Sequence, residues 1–279
     1  MGAAIRHYTN GGGRAPPCYV GDVDSGLPGV RAFFPGQAPA SSDGGAAGTE
    51  VPPARALAIY AHPDDPDISC GGTLAIWAGA GSEVHVCICC DGDKGSLDRN
   101  VAPAQLAALR RKEVQSAGKR LGVAAHHWLG YPDGDVEGRG DLRERIVALV
   151  RQVQPEVVLA PDPTSVFFGQ SYVNHQDHRA VGWAVLDAVA PAAAYPHYFP
   201  NAGPSFQVRA LYLSGTLEPD TWVDITETIE VKASALACHT SQLGEGGEWL
   251  LTAVRQQAEE AGQVAGRRYA EAFRRVVLG

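Results

Sequence analysis

The sequence predicts an α/β fold built on a mostly parallel sheet with helices on both faces. Three observations predict it. Short apolar runs alternate with longer amphipathic runs between residues 55 and 163. The apolar runs are near-continuous, as in strands buried on both faces. Polar clusters follow the ends of those runs, and no fixed-period repeat interrupts the pattern.

The elements follow in order. "RALAIYA" is the first strand and "GGTLAIWAGAG" a helix; "EVHVCICCDG" is the second strand, followed by the long helix "APAQLAALRRKEVQSAGKRLG". "AAHHWLGYPDG" gives a third strand and its loop, "DLRERIVALVRQVQ" a helix, and "PEVVLAPDP" a fourth strand. Residues 209–225, "RALYLSGTLEPDTWVDI", read as a strand pair, and the chain beyond them as helices. Residues 1–53 differ in texture. They are rich in Gly, Pro, Ala and Ser, the composition of an irregular extension, though "YVGDVDSGLPGVRAFFPG" within them is apolar enough to dock. The expected division is an extension over 1–53 and one domain over 54–279.

Composition narrows the function classes. At 279 residues and 45% apolar composition the chain can bury a full core. A net charge of −8 argues against a nucleic-acid partner and against anionic membrane surfaces. No stretch approaches the length of a membrane span, and "MGAAIRHYTNGGG" has no apolar leader region. The expected setting is cytoplasmic, and a homo-oligomer is compatible with the sequence. Six cysteines include Cys87, Cys89 and Cys90 in "VHVCICCDG"; on a strand the first two share a face and the third points away. Without a CxxC spacing they read as core packing rather than a thiolate metal site.

In parallel α/β sheets ligands bind beyond the carboxyl ends of the strands. "HPDDPD" follows strand one, "DGDKGSLD" strand two, "YPDGD" strand three and "PDPTSVFFGQSYVNHQDH" strand four. One acidic loop is ordinary surface; four on one edge, two carrying histidines, point to a site. A hydrolytic zinc centre takes three ligands from His and Asp/Glu and leaves a position for water. "HPDD" offers His62 and Asp65, stiffened by Pro63. "NHQDH" offers His175 and His178, i,i+3 at a helix start, with Asp177 placed to orient an imidazole. His7, His85, His126, His127 and His197 read as surface or satisfied core groups. The glycines at 71–72 lack the G-x-G-x-x-G of a dinucleotide loop.

Together "AHPDDPD…CGGTLA", "DGDKGS", "LGYPDG", "NHQDHRA" and "CHTSQ" resemble the PIG-L/LmbE family of zinc-dependent de-N-acetylases, in order across residues 55–245. The resemblance implies a Rossmann-like sheet and removal of acetyl from a small N-acetylglucosamine-containing substrate. It assigns one zinc to His62, Asp65 and His178, with Asp64 as general base. It makes His175 the group that steadies the transition state, with Asp177 hydrogen-bonded behind it and raising its pKa. Arg110 in "LRRKE" and Asp133 in "YPDG" match positions near the sugar pocket. His239 in "CHTSQ" is either a third pocket residue or a histidine satisfied at a helix end. The family's usual glutamate is Asp67 here, preceded by Pro66, and Gln176 stands where proline is common; no ligand or base is lost. A two-metal phosphoesterase and a nucleotide-binding module are the rival classes. Within the family, an amidase cleaving a thiol–sugar conjugate is the alternative. Loops 92–101, 164–174 and 196–208, with Phe167, Phe168, Tyr172, Tyr198, Phe199 and Phe206, are expected to shape the acceptor site.

Overall fold

Strand β1, Arg55–Tyr60, shows why the sheet forms where it does: Ala56 to Ala61 are at most 1% exposed, so both faces of the strand are covered. The computed structural model describes residues 51–170, 172–243 and 248–278. The extension expected over 1–53, with its apolar patch, lies almost wholly outside the described residues.

Helix α1 (Asp65–Gly79) follows β1, then β2 (Glu83–Cys90), α2 (Pro103–Leu121), β3 (Ala125–Tyr131), α3 (Leu142–Val153) and β4 (Val157–Pro161). A two-strand ladder, β5 (Phe167–Phe168) and β6 (Tyr172–Val173), precedes α4 (Gln176–Asp187). The chain then runs through β7 (Ala210–Ser214), β8 (Thr221–Asp224), α5 (Ile229–Leu236), α6 (Thr240–Leu243), α7 (Glu248–Ala265) and β9 (Ala270–Val277). Seven strands make one sheet in the order β3-β2-β1-β4-β7-β9-β8. The first five are parallel; β9 runs antiparallel to both its neighbours.

The two-residue period of the strands sorts the core. Leu57, Ile59, Cys87, Leu211 and Leu213 face α3 and α4. Ala58, Tyr60, Val86, Leu159 and Tyr212 face α1, α2 and α5. Each fully buried Leu or Ile contributes about 1.5–3 kcal/mol over an exposed one. The expected parallel sheet with helices on both faces is therefore observed. One detail differs: the strands at 210–214 and 221–224 exist but do not pair, because β9, expected as helix, lies between them.

Two glycines set where helices sit relative to the site. A Cβ at Gly72 would lie 2.8 Å from Ile225, so the "GG" of α1 serves close packing. The Glu271 carboxylate, itself paired with buried Lys232, accepts the N–H of Gly72 and of Thr73. A Cβ at Gly182 would lie 2.6 Å from the carbonyl of Pro161, which fixes α4 against the end of β4. Helix α4 thereby brings its first turn to the carboxyl edge of the sheet.

The cysteines pack as expected, with one correction. Cys87 and Cys89 are buried on one face, but the ladder between β2 and β3 shifts register between Ile88 and Cys90. That irregularity turns Cys90 into the same layer rather than away from it. Cys70 is buried and free, Cys238 is part-buried and free, and Cys18 lies outside the described residues.

Candidate active site

Two loops make the centre, each braced locally. After β1 the backbone N–H of His62 donates to Asp65 Oδ2 at 2.7 Å, three residues along. At the start of α4, Asn174 Oδ1 accepts from His178 Nδ1 at 3.0 Å, four residues along. Asn174 is buried and was not singled out in the sequence; only its place in "NHQDH" marks it.

These bonds fix tautomers. His178 has its proton on Nδ1, toward Asn174, so Nε2 carries a lone pair. His62 Nε2 faces Asp177 Oδ2 at 3.1 Å and gives its proton there, so Nδ1 carries a lone pair. The two free nitrogens lie 3.1 Å apart, with Asp65 Oδ1 3.2 Å from His178 Nε2 and Oδ2 3.5 Å from His62 Nδ1. Two imidazole nitrogens and a carboxylate converge closely enough to hold a cation or to share a proton. Tetrahedral coordination with bonds near 2.0–2.1 Å separates ligand atoms by about 3.3–3.4 Å, the spacing seen here. The donor set therefore fits a divalent metal. When a proton takes that place instead, burial opposes it, but hydrogen bonds to Asp177 and Asp65 outweigh burial and raise His62 to about 10.

Asp177 is fully buried and does different work from that expected. Its Oδ2 accepts from His62 Nε2, from Gly134 N at 2.7 Å and, at 3.8 Å, from the Cys90 thiol. Its Oδ2 is 3.6 Å from His175 Nδ1, and that nitrogen instead accepts the backbone N–H of Asp177 itself. His175 thus holds its proton on Nε2. Its pKa is lowered, by burial first and then by the charges of His62 and His178. The hydrogen bond of Asp177 goes to His62 rather than to His175, which stays within ion-pair reach at 3.6 Å, and the net upward shift expected for His175 is not found.

Asp64 sits at the N-cap position of α1, yet its side chain makes no capping bond. It turns to Arg110 instead, whose Nη2 donates to Oδ1 at 2.9 Å while Nη1 donates to Gly92 O at 3.2 Å. Arg110 is only 3% exposed, so this charge pair is largely screened from water. Asp133 is a brace: Oδ1 accepts from Gly92 N at 2.8 Å and Oδ2 from Lys94 N at 3.1 Å, while Lys94 Nζ donates to its carbonyl. Its carboxylate holds the loop after β2 and also lines the cavity.

His239 corrects the reading of "CHTSQ". It is fully buried, pairs with Asp67 through Nε2 at 2.5 Å and is not among the residues that line the cavity. A cavity of about 510 Å³ opens over His62, Asp64, Asp65, His175 and His178, and it is walled by Lys94, Arg110, Phe168, Tyr172 and Gln242. Phe168 and Tyr172 stack at 5.9 Å, whereas Phe199 and Phe206 pack against the core. No helix among the described residues is long and apolar enough to cross a membrane.

A mostly parallel α/β sheet with two histidines and a carboxylate that could hold a metal ion at its carboxyl edge is the class of protein defined so far. Comparison with known proteins names the family. Residues 57–189 match the model of the PIG-L family, described as GlcNAc-PI de-N-acetylase. A diacetylchitobiose deacetylase from Thermococcus kodakarensis is 32% identical over 230 residues, 79% of this chain and 82% of that protein. A 1D-myo-inositol 2-acetamido-2-deoxy-alpha-D-glucopyranoside deacetylase from Rhodococcus jostii is 30% identical over 246 residues, 68% of this chain and 82% of its own. Among solved structures, N,N'-diacetylchitobiose deacetylase from Pyrococcus horikoshii superposes with a TM-score of 0.75 at 32% identity, covering 81% of this chain and 84% of that one. The chain belongs to the PIG-L family, whose members named here are enzymes acting on N-acetyl amide bonds.

Proposed function

We propose that the protein removes the acetyl group from an N-acetylglucosamine unit of a small glycoconjugate or glycosylated metabolite, with one zinc per chain. His62, Asp65 and His178 would hold the metal. The observation that carries this reading is the convergence of two imidazole nitrogens, 3.1 Å apart, on the Asp65 carboxylate. Mixed nitrogen and oxygen donors in a three-ligand set suit zinc with a position left open.

When bound, the metal would polarise the acetamide carbonyl and bring the pKa of a bound water toward about 7. Asp64 does the proton transfer. Arg110 holds Oδ1, which leaves Oδ2 to take a proton from the attacking water and pass it to the departing amine. Water adds across the C–N bond, so acetate and a free amine are the products. His175, exposed beside His62 with its proton on Nε2, donates to the carbonyl oxygen as charge builds there. Asp177 and Asn174 orient the two ligand histidines. Asp133 shapes the loop that carries Lys94, and Phe168 and Tyr172 shield one side from solvent.

The amidase alternative gains no observation, since the relatives described above are deacetylases. The test is acetate release from a panel of N-acetylglucosaminides and chito-oligosaccharides, before and after removal of metal by a chelator. Activity lost to the chelator and restored by zinc is expected. Fully metal-loaded protein that releases no acetate from any panel member would contradict the reading.

A further inference from the structure

We propose that Gln242 is a specificity-determining residue that contacts the hydroxyl-bearing ring attached to the scissile amide, and that Glu113 is the positioning residue that holds it there. The inference rests on the deacetylase reading. Gln242 lies in α6 and lines the same cavity as His62, Asp64 and Arg110. Its own bonds are weak: Nε2 reaches Ser241 Oγ at 3.2 Å and Gly95 O only at 3.5 Å, the limit of a hydrogen bond. Among the described residues, no donor reaches Oε1.

The segment around it, by contrast, is firmly held. Glu113 is 5% exposed and takes three donors: Thr240 Oγ1 at 2.8 Å, Ser241 N at 2.8 Å and Ser241 Oγ at 2.6 Å. Charge-assisted bonds of this kind are about twice as strong as neutral ones. They fix the backbone one residue before Gln242. Glu113 also stands three residues from Arg110, so one face of α2 holds both Asp64 and the segment bearing Gln242.

Arg110 and Gln242 converge on Gly95. A Cβ there would lie 2.9 Å from Arg110 Nη1 and 3.1 Å from Gln242 Oε1. A strongly anchored backbone carrying a weakly engaged carboxamide, open to the catalytic cavity, is suited to a ligand. The carboxamide offers two donors and an acceptor, which match a ring hydroxyl that both donates and accepts. A polyhydroxylated amino-sugar ring is therefore the chemistry it would read.

The experiment measures kcat and KM for acetate release from an N-acetylglucosaminide and from analogues each lacking one ring hydroxyl. Wild type, Gln242→Ala, Glu113→Gln and the double variant are compared, with metal content checked in each. Gln242→Ala is expected to lower kcat/KM roughly tenfold, the value of one neutral hydrogen bond, mainly through KM. One deoxy analogue should lose a similar factor with wild type and almost nothing further with Gln242→Ala. Glu113→Gln should weaken the same discrimination and add nothing in the double variant; a merely structural role would leave discrimination intact. Should Gln242→Ala fail to fold, Gln242→Glu keeps the shape, replaces the donor with a charged acceptor and carries the same comparison across the deoxy analogues. Equal losses for every analogue in wild type and variant overturn the inference while the deacetylase reading stands. A metal-loaded wild type without acetate release overturns both.

Discussion

The two walls of the cavity are built in different ways. The histidine wall carries a short-range bond in each of its loops, His62 N to Asp65 over three residues and His178 to Asn174 over four, and one long-range brace, Asp177 to His62 over 115. The α2 wall is braced across the chain, with Asp64 and Arg110 separated by 46 residues and Glu113 and Ser241 by 128. Local braces travel with their motif, so "NHQDH" carries both His178 and the Asn174 that orients it, whereas His62 meets Asp177 only in the folded chain. Long-range braces exist only once the sheet has formed. On the proposed function, the first wall would set what is bound, the second where the reacting carboxylate and the substrate lie.

That contrast can be broken most forcefully at the histidine wall. His178→Ala is expected to lose tightly bound metal while the fold survives. Acetate release should fall by about 10³-fold or more, because several kcal/mol of charge stabilisation go with the metal. Metal analysis alongside a thermal melt is the check, and full metal retention would remove His178 from the ligand set. A milder change sharpens the same point. Asn174→Ala leaves all three ligands but frees the His178 ring, and should cost about 10–100-fold in metal affinity or activity. Titration with a metal buffer reads this directly, and unchanged affinity would mean that packing alone orients the ring.

How much the sequence revealed follows the same divide. The strands β1, β2 and β4 were readable because both faces are buried and their runs are near-continuously apolar, while β3, "AHHWLGY", is a part-buried edge strand placed by the helices on either side of it in the sequence. Strand β9 was not: "AEAFRRVV" mixes helix-favouring Ala and Glu with Arg274 and Arg275. It is a strand because β7 and β8 leave it a slot, and Arg275 N donates to Asp220 while Arg274 pairs with Glu218 at that edge. In the site, His62, Asp65 and His178 come together as their motifs suggested. Asp177 could not be assigned to one histidine from spacing, since it lies beside His175 in sequence but meets His62 in space. In "CHTSQ" the conspicuous histidine is buried, while the glutamine three residues on reaches the cavity. Register along a short segment decided that, and composition could not.

The Asp67–His239 pair gives the smallest effect on turnover, because it lies behind the wall. Its effect is on stability. Burial opposes charge on His239, but the hydrogen bond to Asp67 outweighs it, so the folded pKa is raised above the ordinary 6.5. A raised folded value stabilises fully below the ordinary one, and that contribution is lost as pH climbs through the raised value. Asp67→Asn should therefore destabilise by about 3–5 kcal/mol at pH 6 and leave a flatter dependence between pH 6 and 9. Urea midpoints across that range are the measurement; parallel curves for wild type and variant would show that the pair does not titrate in the folded protein.

The central claim is that two adjacent carboxylates, Asp64 and Asp65, belong to different walls and do different chemistry. Asp65 faces His178 at 3.2 Å, and Asp64 faces Arg110 at 2.9 Å. Metal content and acetate release of Asp64→Asn and Asp65→Asn, prepared side by side, test it most directly. Asp64→Asn is expected to keep one metal per chain and lose about 10²–10⁴ in turnover, the worth of a general base. Asp65→Asn is expected to lose the metal together with the activity. Equal metal loss in both variants, or near-normal turnover in Asp64→Asn, would contradict the account.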